Sequence, residues 1–335
     1  MSDTQQKILE VKNLHTTFHT PHGDVRAVAG VSFHINRNEV LGIIGESGSG
    51  KSVTSLSILR LTHKKKAKIS PESEIIFNGR NLLALSEKEM RAIRGKEISM
   101  VFQDPLTSLN PVLTIGKQLK EVLKLHRNLS NEQMEEEMIR ILTLVGISSP
   151  ETRLKQYPHQ LSGGMRQRIM IAMALSCHPK LLIADEPTTA LDVTIQAQIL
   201  ELLRDLKERL SLSVMLISHD MGVIAEMADR VVVMYSGQIV ESGSVKDIFD
   251  QPKHPYTQGL LQSIPHLDRN ESKLYAIRGS IPNPNNRPIG CAFHPRCEQA
   301  KEICTRLVPP MTNINDQHAV SCWLHQGEES HANHG

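Results

Sequence analysis

The stretch "GESGSGKS", residues 45–52, decides the fold that we expect for this chain. It fits the pattern G-x-x-x-x-G-K-S/T, in which the glycines let backbone N–H groups surround a polyphosphate. The apolar run "EVLGIIG" precedes the loop and the helical pattern "VTSLSILRL" follows it, which is the strand, loop and helix order that the motif demands. The Lys51 amine is expected to reach the outer phosphates and the Ser52 hydroxyl to coordinate Mg²⁺. We therefore predict an α/β domain whose phosphate ligands are Gly45, Ser47, Gly48, Ser49, Gly50, Lys51, Ser52 and Val53.

A second stretch, "LLIADEP", places two carboxylates directly after an apolar strand. Open α/β sheets bind ligands at the carboxyl edge of their strands. Asp185 is predicted to contribute to the magnesium shell and Glu186 to polarise the attacking water. An acidic pair after a buried strand is, taken alone, more often a solvated strand end or a helix cap. Together with an intact phosphate loop, the pair favours a catalytic site.

Composition excludes several other classes of protein. The 335 residues contain 38 Lys and Arg against 36 Asp and Glu, a formal charge of +2, and only 3% aromatic residues. The chain lacks both the strong positive field and the aromatic stacking platforms that would favour nucleic acid as a partner. Because the sequence has no signal-peptide pattern and no apolar run of about 20 residues, we expect a cytosolic location without a membrane span. In the cytosol thiols stay reduced, so clustered cysteines favour a metal over disulfides.

The order of patterns along the chain predicts an α/β core that is interrupted and then extended. From about residue 105 to about residue 165 helical patterns dominate, which predicts a helical subdomain inside a nucleotide-binding domain spanning residues 1–250. Apolar, β-branched runs such as "SVMLISHD" and "RVVVMYSG" then return to the sheet. A proline-rich stretch and four cysteines predict a small appended domain over residues 251–335, with a disordered polar tail from residue 325.

The stretch "LSGGMRQR", residues 161–168, lies between the two phosphate-site motifs and resembles the signature of ATP-binding cassette (ABC) ATPases. The resemblance implies a RecA-like α/β core plus a helical subdomain. It also implies that two cassettes pair head to tail, so that the phosphate loop of one and the signature helix of the other enclose one ATP. The residues that would contact the partner's ATP are Ser162, Gly163, Gly164 and Gln167.

Other positions match the cassette pattern residue by residue, and the resemblance implies their roles. Gln103 in "MVFQDP" corresponds to the glutamine that touches both Mg²⁺ and the membrane-domain interface. Asp192 in "TTALD" matches the loop that crosses the dimer interface, and His219 in "LISHD" matches the histidine near the terminal phosphate. Phe18 stands at the approximate place of the aromatic ring that stacks on adenine, although a lone Phe after a strand is more often part of the core.

The C-terminal region is similar to that of oligopeptide and dipeptide importer ATPases, on "HPYTQGLLQSIP" at residues 254–265 and "GCAFHPRC" at residues 290–297. That resemblance implies an ATPase at the cytoplasmic face of the cell membrane that energises peptide import. The implied partners are two permeases, a second and different ATPase subunit, and an extracytoplasmic binding protein. Related importers of nickel chelates or other solutes stay open as alternatives.

Four cysteines, Cys291, Cys297, Cys304 and Cys322, are separated by five, six and seventeen residues. Zinc sites usually contain a tighter cysteine pair, and the spacing also fails the ferredoxin patterns, so spacing alone leaves the metal open. The resemblance to peptide-importer ATPases implies a 4Fe–4S cluster, with Zn²⁺ and four free thiols as the alternatives. Cys177, in a helical pattern after the signature, is expected to pack in the core.

Two other functional classes are alternatives to transport. A soluble cassette protein of DNA repair or translation would be expected to contain a long coiled-coil insertion or two cassettes in tandem, and the sequence has neither. The other class is an iron–sulfur assembly or redox-sensing protein in which the ATPase serves the cluster.

Overall fold

The computed structural model describes residues 6–21, 23–62, 66–104, 108–189, 191–263 and 276–326. The first residues of the predicted helical subdomain, 105–107, and most of the predicted disordered tail, from residue 327 onward, lie outside this range. The strands are β1 Lys7–Thr20, β2 Gly23–Asn36, β3 Val40–Ile44, β4 Ala67–Ile69, β5 Glu74–Phe77, β6 Arg80–Asn81, β7 Ile98–Val101, β8 Leu181–Asp185, β9 Ser213–Ile217, β10 Arg230–Tyr235, β11 Gln238–Ser244, β12 Thr312–Asn313 and β13 Ala319–Val320. The helices are α1 Lys51–Ile58, α2 Glu87–Ile93, α3 Ile115–His126, α4 Asn131–Leu144, α5 Pro150–Leu154, α6 Gly163–Leu175, α7 Val193–Leu210, α8 Met221–Met227, α9 Val245–Asp250 and α10 Pro255–Gln262.

The chain divides into two compact units, each built from separate segments. Unit 1 contains residues 1–9, 35–40 and 76–217, and unit 2 contains residues 10–34, 41–75 and 218–335. The expected division into a cassette of residues 1–250 and an extension of residues 251–335 stays a prediction. No helix within the described ranges is long and apolar enough to cross a membrane.

Unit 1 contains three parallel strands in the order β7, β8, β9. All five residues of β8 and all five of β9 are buried, as expected for parallel strands covered on both faces. The predicted helices of the insert are confirmed, and α3 has the bounds of the helical pattern "IGKQLKEVLKLH". Side-chain caps fix their first residues: the Thr114 hydroxyl accepts a hydrogen bond from the Lys117 N–H, and Ser130 with Gln133 forms a capping box.

Unit 2 contains a sheet in which β3 pairs in parallel with β10, and β10 pairs antiparallel with β11. The short strands β13 and β12 extend this sheet beyond β11. Strands β1, β2 and β4 supply a second, antiparallel region, in which Phe18 of β1 lies opposite Ala67 of β4. The sheet of unit 2 therefore contains both the strand before the phosphate loop and strands from the C-terminal region.

A buried carboxylate attaches the C-terminal region to β11. Glu241 is fully buried, and its carboxylate accepts hydrogen bonds from the backbone N–H groups of Lys253 (2.6 Å) and His254 (2.9 Å). The Nε2 atom of His318 lies 2.7 Å from the same carboxylate. A buried charge is tolerated only when such partners surround it. Glu241 thus connects the start of the C-terminal region with the residue just before β13.

The "HPY" stretch begins helix α10 through a histidine cap. The Nδ1 atom of His254 accepts a hydrogen bond from the Tyr256 N–H at 3.0 Å, and Pro255 occupies the first helical position. Burial lowers the pKa of His254 to about 3, so the ring is neutral and can accept at Nδ1. The local sequence therefore explains both the start of the helix and the placement of Tyr256.

Candidate nucleotide site

The phosphate loop connects β3 to α1 and can be formed only with glycine at its first position. Gly45 has φ +151°, and a Cβ atom there would lie 2.2 Å from the carbonyl oxygen of Met234. Gly48 has φ +82°, and a Cβ atom there would meet nothing within 4 Å. One side of the loop is therefore packed against its neighbour strand, while the backbone at Gly48 faces open space. This is the arrangement that a polyphosphate cradle requires.

The polar groups of the loop also fit a phosphate ligand. The Lys51 amine donates to the carbonyl oxygens of Gly45 (2.7 Å) and Glu46 (3.0 Å), and Lys51 is only 5% exposed. The Ser49 hydroxyl is buried and has no hydrogen-bond partner among the described residues. Helix α1 begins at Lys51 after Gly50, which has no side chain to cap the first turn. A buried cation, an orphan hydroxyl and an uncapped helix start fit the triphosphate of ATP.

Two residues from beyond position 250 contact Glu46 of the loop. The Tyr256 hydroxyl accepts a hydrogen bond from the Glu46 N–H at 2.8 Å. Burial raises the pKa of Tyr256 well above its ordinary value, so the hydroxyl stays neutral. Arg296 forms an ion pair with the Glu46 carboxylate. Burial opposes the charge of this guanidinium, but its hydrogen bonds with Glu46 and Tyr235 raise the pKa above the usual value.

The acidic strand end lies in unit 1. Asp185 is the last residue of β8 and is buried, whereas Glu186 follows it with φ +50°, a left-handed conformation that is unusual for a residue other than glycine. The Glu186 carboxylate accepts hydrogen bonds from the Gln103 amide (2.7 Å) and from the Thr189 hydroxyl (3.0 Å). The predicted residues Gln103 and Glu186 are thus brought together although 83 residues separate them. The strained backbone and two donors fix the direction of the carboxylate.

The signature segment begins helix α6 as predicted. The Ser162 hydroxyl is exposed and accepts a hydrogen bond from the Met165 N–H, so it caps the helix that Gly163 and Gly164 begin. Gln167 is the least exposed of the predicted signature residues, and its role stays a prediction. It is 1% exposed, and its amide donates to the carbonyl oxygen of Pro187 at 2.5 Å. Its side chain therefore joins the signature helix to the segment after Glu186 in its own chain, which does not favour contact with a partner's ATP.

The three remaining predicted residues are Asp192, His219 and Phe18. Asp192 is exposed and caps α7, accepting a hydrogen bond from the Ile195 N–H at 2.9 Å. His219 is exposed between β9 and α8. Phe18 is half-buried within β1, so it is not a fully buried core residue. The positions of these three residues do not test their predicted roles, which stay predictions.

The four C-terminal cysteines are free thiols. Burial raises the pKa of Cys322 to about 11, and it also raises the pKa values of Cys291 and Cys297. Within the described part of the chain, no three His, Cys, Asp or Glu side chains are arranged to hold a metal ion. The arrangement of the side chains therefore does not support the expected metal centre. Cys177 is buried, as expected.

Sequence reasoning missed Tyr256, Thr189 and Arg296 as parts of the site. Thr189 lies three residues after Glu186, so proximity was a usable signal. Tyr256 and Arg296 lie in the stretches "HPY" and "HPRC", whose only sequence signal is a resemblance to a family. Nothing local in those stretches indicates contact with a loop more than two hundred residues earlier.

Comparison with known proteins agrees with this geometry. Residues 28–189 match the family model described as ABC transporter. Residues 240–304 match the one described as oligopeptide/dipeptide transporter, C-terminal region. The chain is 54% identical over 327 residues to the dipeptide transport ATP-binding protein DppD of Bacillus subtilis, covering 98% of this chain and 97% of DppD. It is 53% identical over 319 residues to the oligopeptide transport ATP-binding protein OppD of the same organism, covering 95% of this chain and 89% of OppD.

A solved structure supports the same assignment. The ATP-binding cassette MJ0796, determined as a dimer in a post-hydrolysis state with ADP and Pi, superposes with a TM-score of 0.63 at 28% identity. The superposition covers 71% of this chain and 98% of MJ0796. The expected ABC cassette fold is therefore confirmed. Since a relative more than half identical spans nearly all of both chains, this chain belongs to the ABC transporter family, in the group that carries the oligopeptide/dipeptide transporter C-terminal region.

Proposed function

We propose that this chain is the ATP-hydrolysing subunit that energises import of dipeptides or oligopeptides across the cytoplasmic membrane. The observation that carries the proposal is that likeness to peptide-transport ATP-binding proteins extends through residues 240–304 as well as through the cassette. ABC cassettes of other classes share the phosphate loop, so the cassette alone would not distinguish a peptide importer.

In this proposal the loop of residues 45–53 binds the triphosphate, with Lys51 as its cation. Ser52, Asp185 and Gln103 would hold Mg²⁺, which when bound neutralises phosphate charge. Glu186 orients the attacking water, and the position of its carboxylate is supported by the two hydrogen bonds that it accepts. His219 lies near the terminal phosphate. The signature residues Ser162, Gly163 and Gly164 act on ATP held by a partner cassette, and Asp192 lies at that dimer interface.

The partners that we propose are those that the resemblance to peptide-importer ATPases implies. We propose that the chain binds at the cytoplasmic face of the membrane to two permease subunits, with a second, related ATPase as its cassette partner. An extracytoplasmic binding protein delivers the peptide.

Residues 1–250 form the cassette, with the helical subdomain from about residue 105 to about residue 165, and residues 251–335 form the extension. Helices α3, α4 and α5 lie within this proposed subdomain, and α6 begins at its end.

A transport assay tests the proposed function. Deleting the gene is expected to abolish uptake of labelled di- and tripeptides, and expression of the wild-type chain is expected to restore it, whereas Lys51→Ala is not. Uptake of a free amino acid serves as the control, because it should not change. Loss of nickel-chelate uptake with normal peptide uptake would contradict the peptide assignment while leaving the ATPase in place.

We also propose that Cys291, Cys297, Cys304 and Cys322 hold a 4Fe–4S cluster, with Zn²⁺ as the alternative. Support comes from the chemistry of the donors, since all four are free thiols and four thiolates are the usual ligands of such a cluster. The Cys304 sulfur accepts a hydrogen bond from the Lys301 N–H at 3.4 Å. Binding would require the thiols to lose protons against the effect of burial and to move closer together.

Metal analysis of anaerobically purified protein tests this second proposal. A cluster predicts about four iron atoms and four labile sulfides per chain. Cys297→Ser should remove both, whereas Cys177→Ser, at a buried cysteine of the cassette, should leave both unchanged. Finding one zinc atom per chain and no iron would assign Zn²⁺ to the four cysteines. Finding neither metal would establish four free thiols.

A further inference from the structure

Arg296 of the C-terminal region contacts Glu46 of the phosphate loop across 250 residues of sequence. The Nη1 atom lies 2.7 Å from Oε2, and the Nη2 atom lies 3.0 Å from Oε1, so the pair is bidentate. The Arg296 side chain is only 4% exposed. Two parallel, charge-assisted hydrogen bonds make this contact both strong and specific in direction.

The other donors of the guanidinium are also satisfied, which fixes its position. Nε donates to the Arg278 carbonyl oxygen at 2.9 Å, and Nη2 approaches the Ile277 carbonyl oxygen at 3.4 Å. The guanidinium carbon lies 5.8 Å from the ring centre of Tyr235 and 5.9 Å from that of Phe293. Cation–π contacts and hydrogen bonds together offset the cost of burying the charge. The Glu46 carboxylate is therefore paired with a group that has little freedom to move.

The backbone of Glu46 is held by the same region. Its N–H donates to the hydroxyl of Tyr256, a fully buried residue whose ring packs 4.6 Å from that of Tyr235. Its carbonyl oxygen accepts from the Lys51 amine at 3.0 Å and from the Ser49 N–H at 3.2 Å. Glu46 thus connects the C-terminal region directly to the cation and the turn of the phosphate loop.

We propose that Arg296 is a positioning residue for the phosphate loop: through Glu46 it keeps the loop in the shape that binds the triphosphate. The C-terminal region is then a part of the ATP site rather than only an appendage. This inference rests on the proposed ATP site, and it assigns Arg296 no contact with the nucleotide. The physical reason is preorganisation, because a loop already held in its binding shape loses less entropy when the ligand arrives.

The test compares Arg296→Met and Glu46→Gln with the matched control Arg306→Met. Arg306 pairs with Glu302 in the same region, but their side chains are 71% and 78% exposed. For the two test variants we expect the dissociation constant of a fluorescent ATP analogue and the KM for ATP to rise about tenfold. The kcat at saturating ATP should change by less than about twofold, because a positioning residue for binding does not touch the reacting atoms. The control should change none of these quantities, since exposed ion pairs contribute little.

Two further measurements separate positioning from a general role in folding. The double variant Arg296→Met, Glu46→Gln should bind ATP no more weakly than the worse single variant, because both changes remove one contact. Arg296→Lys should recover only part of the affinity, since a lysine keeps the charge but cannot donate the two parallel hydrogen bonds of the planar guanidinium. Additive losses would overturn the inference, and so would unchanged ATP affinity in Arg296→Met together with a lowered melting temperature.

Glu46→Gln keeps the test decisive if Arg296→Met does not fold. Normal ATP affinity in a folded Glu46→Gln protein would overturn the inference. A wild-type chain that failed to bind the ATP analogue would instead refute the proposed function, so the two failures are distinguishable.

Discussion

Glu186→Gln is expected to keep ATP binding and to lower the rate of hydrolysis by at least about a hundredfold. The amide has nearly the same shape as the carboxylate, so the side chain can still accept a hydrogen bond from Gln103 or Thr189 and the left-handed backbone at residue 186 is not disturbed. What the variant loses is the negative charge that orients and polarises water. Without cleavage, the ATP-bound cassettes should stay paired. Single-turnover hydrolysis and gel filtration with ATP measure the two effects.

The matched control for this variant is Glu201→Gln, the same change on the exposed part of α7. It should hydrolyse ATP at the wild-type rate. Hydrolysis by Glu186→Gln within about twofold of the wild-type rate would remove Glu186 from its assigned role. Loss of ATP binding would mean that its carboxylate acts mainly on the structure of the site.

Lys51→Ala is expected to weaken ATP binding by about a hundredfold, because the triphosphate loses its nearest cation. The variant also removes the two hydrogen bonds that the amine donates to the carbonyl oxygens of Gly45 and Glu46. The loop therefore loses both charge and internal support. Equilibrium titration with a fluorescent ATP analogue measures the effect.

Lys124→Ala, at an exposed position of α3, provides the comparison for Lys51→Ala, and its ATP affinity should equal that of the wild type. Lys51→Arg helps to separate the two contributions. It keeps the charge, but its planar head cannot donate in the same geometry, so intermediate affinity is expected. Unchanged affinity in Lys51→Ala would contradict the assignment of the phosphate loop.

The parts of the structure that follow local rules were predictable from sequence. The buried strands β8 and β9 are short apolar runs, and the start and end of α3 coincide with the quoted helical pattern. The phosphate loop was predictable because its glycines and lysine must occur at fixed spacing. Strand β11 was not predicted, because "QIVESGS" contains glycine, serines and a glutamate, which are unfavourable in an isolated strand. Its glutamate, Glu241, is buried only because distant backbone groups supply hydrogen bonds.

The contacts that complete the site depend on long-range pairing and left no local pattern. Gln103 and Glu186 were each singled out, but their hydrogen bond required the fold. Gln167 was assigned to a partner's nucleotide from the signature pattern alone, whereas burial directs its amide to the Pro187 carbonyl oxygen. The number of cysteines could be read from the sequence, but not the distances between their sulfurs. Spacing along the chain does not determine such distances when the connecting segments are irregular.

The division of unit 2 into separate segments has a consequence for how the protein is made. Residues 41–75, which carry the phosphate loop, belong to the same compact unit as residues 218–335. Chains leave the ribosome from the N-terminus, so the loop emerges long before Tyr256 and Arg296 are translated. During that interval Glu46 has neither of these partners. On the proposed role of Arg296, a nascent chain therefore binds ATP with its full affinity only after both partners of Glu46 have been translated.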